Sequence, residues 1–283
     1  MEEKWKEYYS HEDIKRIQEI ELNSLRELIR ICEILNIDFM LYGGSLLGAV
    51  KYSGFVPWDD DLDVAMMRND YEIFLEKAPK LLSKDYEIQH PRNNKLSPYP
   101  YIKFRRNNTT LVEYAAKDIQ INHGIYFDIY PIDNIPDDDD EYTSMNKKIN
   151  KLIRLFIRRQ GMIKWKPNVS LIDYCKYIKR IVESTLLKCI PHKYYITKLH
   201  KLMTMYNDQN TKRQGNYFYS KPVNYFIGVK PFQKVSFCGI TVNIPYGYKI
   251  NLTNRYGDIS KLPPESDRIG HRPYKISFDN QGE

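Results

Sequence analysis

Two short stretches, close together in the chain, carry residue types able to handle phosphate and a divalent metal. The first is Gly43-Gly44-Ser45, between the apolar run Phe39–Tyr42 and the apolar segment Leu46–Val50. That pattern predicts strand, tight turn, helix. Glycine lets a backbone approach a ligand closely, and a helix start offers unpaired N–H groups and a positive dipole end to a phosphate. The second stretch is Asp59-Asp60-Asp61-Leu62-Asp63-Val64. On a strand, residues two apart share a face, so Asp61 and Asp63 point together, Asp59 can join them, and Leu62 and Val64 turn to a core. Adjacent carboxylates repel unless a cation sits between them. Oxygen ligands suit Mg2+ or Mn2+, and Mg2+ commonly bridges a few carboxylates to substrate phosphates. A phosphate cradle followed by such a pair points to phosphoryl or nucleotidyl transfer.

Either stretch alone is ordinary. A Gly-Gly-Ser turn is most often only a turn, and an acidic run is usually a solvated loop. Here the acidic run is flanked by Phe55, Val56, Trp58 and Val64, which does not suit a solvated face. Further along, alternation places Lys103 and Arg105 on one strand face, either a diphosphate contact or a solvated edge. Asp128 lies within the apolar run 124–133, where a carboxylate is costly unless paired or metal-bound. Asp133 reads as a turn residue, and Asp137–Asp140 as a helix start or solvated loop.

The run GGSLLGAVKYSGFVPWDDDLDVAMMRNDYEIF resembles the signature of the LicD/fukutin family of nucleotidyltransferase-like phosphotransferases, of the phosphorylcholine transferase type. The family pattern is Gly-Gly-Ser/Thr-Leu-Leu-Gly, then Gly-Phe-hydrophobic-Pro-Trp-Asp-Asp-Asp, an Asp two residues on, and Arg-x-Asp-Tyr. Lys51-Tyr52-Ser53 departs from it, where the family often has Arg-His. Near the other end, Tyr256-Gly257-Asp258, Leu262-Pro263-Pro264, Arg268 and His271 again resemble the family. The similarity runs from about His11 to Tyr274 and is faint between Asp137 and Asn216.

The resemblance implies an α+β fold: a nucleotidyltransferase-like mixed β-sheet core flanked by helices, with a helical insertion. We expect residues 1–140 to form the catalytic core, 141–212 the insertion, and 213–283 strands and loops that complete the site, all in one structural unit. It also implies Mg2+-dependent (or Mn2+-dependent) transfer of a phosphorylated alcohol to a sugar hydroxyl. The leading case is phosphocholine from CDP-choline, with a glycan or lipid-linked glycan acceptor such as a teichoic acid or lipopolysaccharide precursor. Asp61, Asp63 and Asp128 are then the metal ligands, with Asp128 orienting the hydroxyl or taking its proton. Gly43, Gly44 and Ser45 would bind phosphate, and Lys103 would stabilise the leaving nucleotide with Arg105 beside it. Asp258, Arg268 and His271 are either substrate contacts or structural turn residues. Choline has no N–H to offer and needs aromatic faces, for which Trp58, Tyr101, Tyr126, Tyr130 and Tyr256 are candidates. The alternatives are ribitol- or glycerol-phosphate transfer, nucleotidyl transfer with release of pyrophosphate, and a non-catalytic binding subunit.

These residues need elements to position them. The period of apolar residues predicts helices over His11–Asn36, Ser45–Lys51, Asp70–Leu82, Glu141–Arg159, Leu171–Ile190 and Tyr194–Tyr206. Ser10 is the expected N-cap of the first. Strands are expected at Ile37–Tyr42, Leu62–Met66, Tyr86–Gln89, Pro100–Phe104 and Gly124–Asp133. Val235–Phe237 and Ile240–Ile244 should form a hairpin about Cys238-Gly239. The chain has 283 residues, 42% of them hydrophobic, enough for a globular core. Its net charge of +7 fits anionic substrates or an anionic membrane surface, without an aromatic signature for nucleic acid. No run of about 18 apolar residues occurs, and the amino-terminal segment has no apolar signal core. The four cysteines lack metal or disulfide spacing, so a cytoplasmic protein with reduced thiols is expected. Glu141–Arg159 and Leu171–Ile190 are basic and amphipathic. They are expected to pack on the core, with peripheral contact at the inner face of the membrane as the alternative.

Overall fold

In a computed structural model of the chain, residues 9–162, 171–218, 225–264, 268, 270, 271 and 273–278 are described. The fold is α+β. Helix α1 (His11–Leu35) starts at Ser10, whose hydroxyl accepts the Asp13 N–H at 3.0 Å while the Asp13 carboxylate accepts the Ser10 N–H at 3.1 Å. This reciprocal box satisfies two helix-end donors. The helix closes at Asn36, in the left-handed region at φ 52°. Strand β1 (Met40–Leu41) is shorter than its apolar run, and α2 (Gly43–Tyr52) begins two residues earlier than expected. Both glycines therefore lie in the first turn of the helix rather than in a turn before it. Next come β2 (Asp63–Met67), α3 (Arg68–Lys77), β3 (Tyr86–Gln89), β4 (Ile102–Arg106), β5 (Thr110–Glu113) and β6 (Tyr126–Asn134).

The second half supplies α4 (Asp139–Arg159), α5 (Leu171–Leu187), α6 (His192–Met203), β7 (Arg213–Gly215), β8 (Tyr225–Ile227), the hairpin β9 (Gln233–Phe237) and β10 (Ile240–Ile244), α7 (Tyr248–Tyr256) and β11 (Pro273–Ser277). Asp138 caps α4 by accepting the Glu141 N–H at 2.8 Å, so this acidic run is a helix start. Strands β5, β7, β8 and β11 carry no sequence signal that anticipated them.

Seven strands form one mixed sheet in the order β1-β2-β6-β4-β3, with β7 added to β6 and β8 to β7. Among the described strands, only β2 and β6 run parallel. The two faces of β4 and β6 differ in kind. Phe104 and Phe127 stack at 4.9 Å, and Phe74 of α3 lies 6.5 Å from Phe104, all fully buried. The alternate positions Lys103, Arg105, Tyr126, Asp128 and Tyr130 point the other way, as the two-residue period requires. The apolar face is covered, so the polar face is left for chemistry.

Helices α4 and α6 build a separate cluster around Tyr142, Ile149, Phe156, Tyr195 and Leu199. An ionic junction joins it to the sheet. Arg68 donates Nε to Asp133 Oδ1 at 2.8 Å, so Asp133 is a buried ion-pair partner rather than the expected turn residue. Glu72 Oε1 accepts Arg68 Nη1 at 3.2 Å and Arg92 Nη2 at 3.1 Å, with His200 Nε2 of α6 at 3.4 Å. Burial alone would raise the Glu72 carboxyl. The hydrogen bonds from His200 and Arg92 and the nearby guanidinium charges outweigh it and hold the group well below its ordinary 4.5. A depressed folded-state pKa adds stability above the unfolded value and loses it as pH falls. Glu72→Gln should therefore cost about 1–2 kcal/mol at pH 7. The gap should narrow as pH drops below 4.5. Thermal melts across pH check this, and a gap independent of pH would remove the ionic account.

Candidate active site

Sheet register assembles the site. The parallel pairing sets Asp63 of β2 opposite Asp128 of β6, and the antiparallel pairing on the other side sets Lys103 of β4 opposite the same Asp128. In-register neighbours share a face, so residues far apart in sequence form one row. Lys103 Nζ donates to Asp128 Oδ1 at 3.0 Å and lies 3.7 Å from Glu113. The Tyr126 ring is 3.3 Å beneath it and the Tyr99 ring 4.2 Å away. Burying an ammonium is tolerable when it is paired and rests on aromatic faces. Tyr130 donates its hydroxyl to Asp128 Oδ2 at 3.1 Å, and Tyr99 donates to Glu113.

The start of α2 closes over this row. Ser45 Oγ accepts the Asp63 N–H at 2.8 Å, which pins β2 to the helix, and Ser45 is buried. A Cβ on Gly43 would fall 2.3 Å from Asp63 Oδ2, and one on Gly44 would fall 2.3 Å from Asp59 Oδ2. Gly43 also holds φ at +55°, which side chains disfavour. The positive end of α2 thus already faces two protein carboxylates. Asp60 turns away from them, accepting the His271 N–H at 2.7 Å and lying 3.1 Å from His271 Nδ1. Gln18 of α1 donates to the Asp59 carbonyl at 2.8 Å and steadies the loop.

The electrostatics are unbalanced. Burial, then the charges of Asp61 and Asp128, hold the Asp63 carboxyl well above the ordinary carboxylate range. Asp59 is pushed up to about 9 by burial and by Asp61, with which it shares a hydrogen bond. Burial raises Asp128 as well, although Lys103 opposes it. The site gathers more negative charge than its own cations offset. Among the described residues no three His, Cys, Asp or Glu side chains are grouped so as to enclose a metal ion. Asp61, Asp63 and Asp128 are thus not a closed ligand trio. The donor set still fits Mg2+ or Mn2+: its oxygens are hard, their charge is in excess, and Mg2+ is commonly held by one or two carboxylates plus substrate phosphates.

The row opens into a cleft of about 1100 Å³. Asp59, Asp61, Asp63, Lys103, Asp128 and Gly44 line it, as do all five candidate rings: Trp58, Tyr101, Tyr126, Tyr130 and Tyr256. Asp258 and His271 lie on its wall. Arg268 stands 5.5 Å over the Trp58 ring and donates Nε to the Pro263 carbonyl at 2.8 Å. Arg105 does not line the cleft. It is fully buried, donating Nε to Gln89 Oε1 at 3.1 Å and Nη1 to the Gly124 carbonyl at 2.8 Å. Gly43 and Ser45 also lie behind the wall, their roles being to admit and fix Asp63. Cleft residues not singled out from sequence include Arg255 and Glu113, while Lys51 stood out only as a departure from the family pattern. Arg255 lowers the burden on Asp63 and lies 5.4 Å over Tyr256. Its signal was the Arg-Tyr-Gly-Asp string. Glu113 had none, because β5 was not visible. Lys51 spends its ammonium on the carbonyls of Ile259, at 2.7 Å, and Lys261, at 3.1 Å.

Two substitutions should move stability in opposite directions. Gly43→Ala forces a left-handed side chain against a buried carboxylate and should cost about 2 kcal/mol or more. Asp63→Asn removes a charge from a repelling cluster and should leave the melting temperature unchanged or raise it. Thermal melts of the metal-free protein check both, and a large loss in Asp63→Asn would contradict the excess of charge.

Residues 36–151 match the family described as LicD/FKTN/FKRP, nucleotidyltransferase domain. The chain is 24% identical over 261 residues to the lipopolysaccharide cholinephosphotransferase LicD of Haemophilus influenzae, covering 88% of this chain and 92% of that one. It is also 37% identical over 79 residues to an uncharacterised protein of Rickettsia typhi, 26% of each chain. The domain match spans β1 to the first half of α4, which includes Asp61, Asp63, Lys103 and Asp128. Over residues 36–151 the chain is similar to the LicD/FKTN/FKRP nucleotidyltransferase domain, and over most of its length to the lipopolysaccharide cholinephosphotransferase of Haemophilus influenzae.

Proposed function

We propose that the protein transfers phosphocholine from CDP-choline to a sugar hydroxyl of a lipid-linked or cell-surface glycan, of lipopolysaccharide or teichoic acid type, and releases CMP. The observation that carries this reading is a cluster of under-neutralised carboxylates, buried at Asp63 and half-buried at Asp59, Asp61 and Asp128, opening onto an aromatic cleft. Such a cluster suits a diphosphate that arrives with a divalent cation. Rings on the same cleft suit a group that is cationic but cannot donate a hydrogen bond. The relative in Haemophilus influenzae bears the name of a cholinephosphotransferase, which supports the same choice of cargo.

Asp61 and Asp63, with Asp128 within reach of their charge, would hold Mg2+ or Mn2+ together with donor oxygens. When bound, the ion offsets charge on the diphosphate and acidifies the incoming hydroxyl. The acceptor oxygen attacks the phosphorus that carries choline. The P–O bond to the CMP phosphate breaks, and CMP leaves with the bonding electrons. Asp128, raised by burial, is placed to orient the hydroxyl and take its proton. Lys103 is locked beside it at 3.0 Å and opposes the charge that develops on the leaving group. Gly44 exposes backbone at the mouth of α2, where the donor phosphates would pass.

The test is incubation with Mg2+, CDP-choline and a glycan acceptor. CMP should accumulate with choline phosphate on the sugar, and Asp128→Asn should lower turnover by about 10²-fold or more. Turnover with CDP-ribitol or CDP-glycerol but not CDP-choline would reassign the cargo to a polyol. Pyrophosphate release from a nucleoside triphosphate would replace alcohol-phosphate transfer by nucleotidyl transfer. No turnover with any donor would leave a binding subunit.

A further inference from the structure

Helix α5 has an apolar face that the rest of the described protein leaves uncovered. Tyr174, Ile178, Ile181, Val182 and Leu186 recur at helical spacing along one side and are between 41% and 64% exposed. The opposite side packs on α4, where Arg158 Nη1 donates to Glu183 Oε2 at 2.7 Å and Ser184 is buried. A solvent-facing stripe of this kind on a helix marks an interaction surface. Its surroundings have a sign. Between residues 141 and 203 the sequence holds 15 Lys and Arg against 3 Asp and Glu, although the whole chain is only +7. Lys179 on α5, Lys188 just after it, Lys193 and Lys198 on α6, and Lys151 and Arg154 on α4 are all exposed.

We infer that this face docks on an anionic lipid bilayer, with the apolar stripe of α5 seated at the headgroup boundary and the flanking lysines against acidic headgroups. A second copy of the chain fits poorly, because two such basic units would repel. A nucleic acid would use the lysines but leave the apolar stripe in water. A bilayer satisfies both features. Among the described residues no helix is long and apolar enough to cross a membrane, so the contact is peripheral.

The test is flotation of the full chain with vesicles of phosphatidylcholine alone or of phosphatidylcholine with phosphatidylglycerol. The protein should float with the anionic vesicles only, and less so as salt rises. Lys179→Glu with Lys188→Glu should weaken partitioning about tenfold or more. Ile178→Ser, Val182→Ser and Leu186→Ser together should abolish it. All five side chains are exposed, so melting temperatures should hold in both variants. Failure to float with anionic vesicles overturns the inference, as does equal flotation with neutral ones or wild-type flotation of the serine variant. A dimer broken by the serine substitutions would make the face a self-interface, and salt-sensitive retention on DNA without flotation would make it a nucleic-acid face. None of these outcomes bears on CMP release, which is measured separately.

Discussion

The structure depends on one electrostatic constraint: the buried ammonium of Lys103 faces a group of buried and half-buried carboxylates that it cannot fully offset. Lys103 is matched to Asp128 at 3.0 Å, and Glu113 lies 3.7 Å away. Asp59, Asp61 and Asp63 stand outside that pairing, with Arg255 as a partial counterweight for Asp63. Desolvation makes each added negative charge costly. The protein accepts that cost in strands covered on their far side by the buried rings of Phe74, Phe104 and Phe127. A site held this way is organised around charge that a ligand must bring.

Much of the surrounding architecture serves to place these groups without letting them separate. The parallel pairing of β2 with β6 fixes Asp63 against Asp128. Ser45 ties the backbone of Asp63 to α2, and the glycines of α2 let the helix end approach the carboxylates to a distance any side chain would block. Asp60 lies in the same run but serves differently, holding the C-terminal segment through His271. The ionic junction at Glu72 attaches the helical unit, so a basic surface and an acidic site coexist in one chain at opposite sign.

The sequence was informative where local rules decide the outcome. The α1 cap at Ser10, the α4 start at Asp138 and the β9–β10 turn follow from residue type and spacing. The carboxylate types in the site were legible too. Their partners were less so. That Lys103 meets Asp128 depends on β4–β6 pairing across a long stretch of chain, which no local pattern specifies. Alternation placed Arg105 on the same face as Lys103, correctly, but only tertiary packing reveals that Gln89 and Gly124 enclose it. The glycines signalled close approach. Sequence alone does not say whether the approaching oxygen belongs to a phosphate or to Asp63. The short strands β5, β7, β8 and β11 run three to five residues and lack clear alternation, so Glu113 stayed hidden with β5.

The central claim is that the carboxylates are incomplete as a metal site until a diphosphate supplies further oxygens. The most direct measurement is calorimetric titration of Mn2+ into the protein with and without CDP-choline. The account predicts weak binding to the protein alone and binding at least about tenfold tighter with the donor present, with CDP-choline tightened by the metal to the same degree. Equal Mn2+ affinity with and without CDP-choline would contradict it.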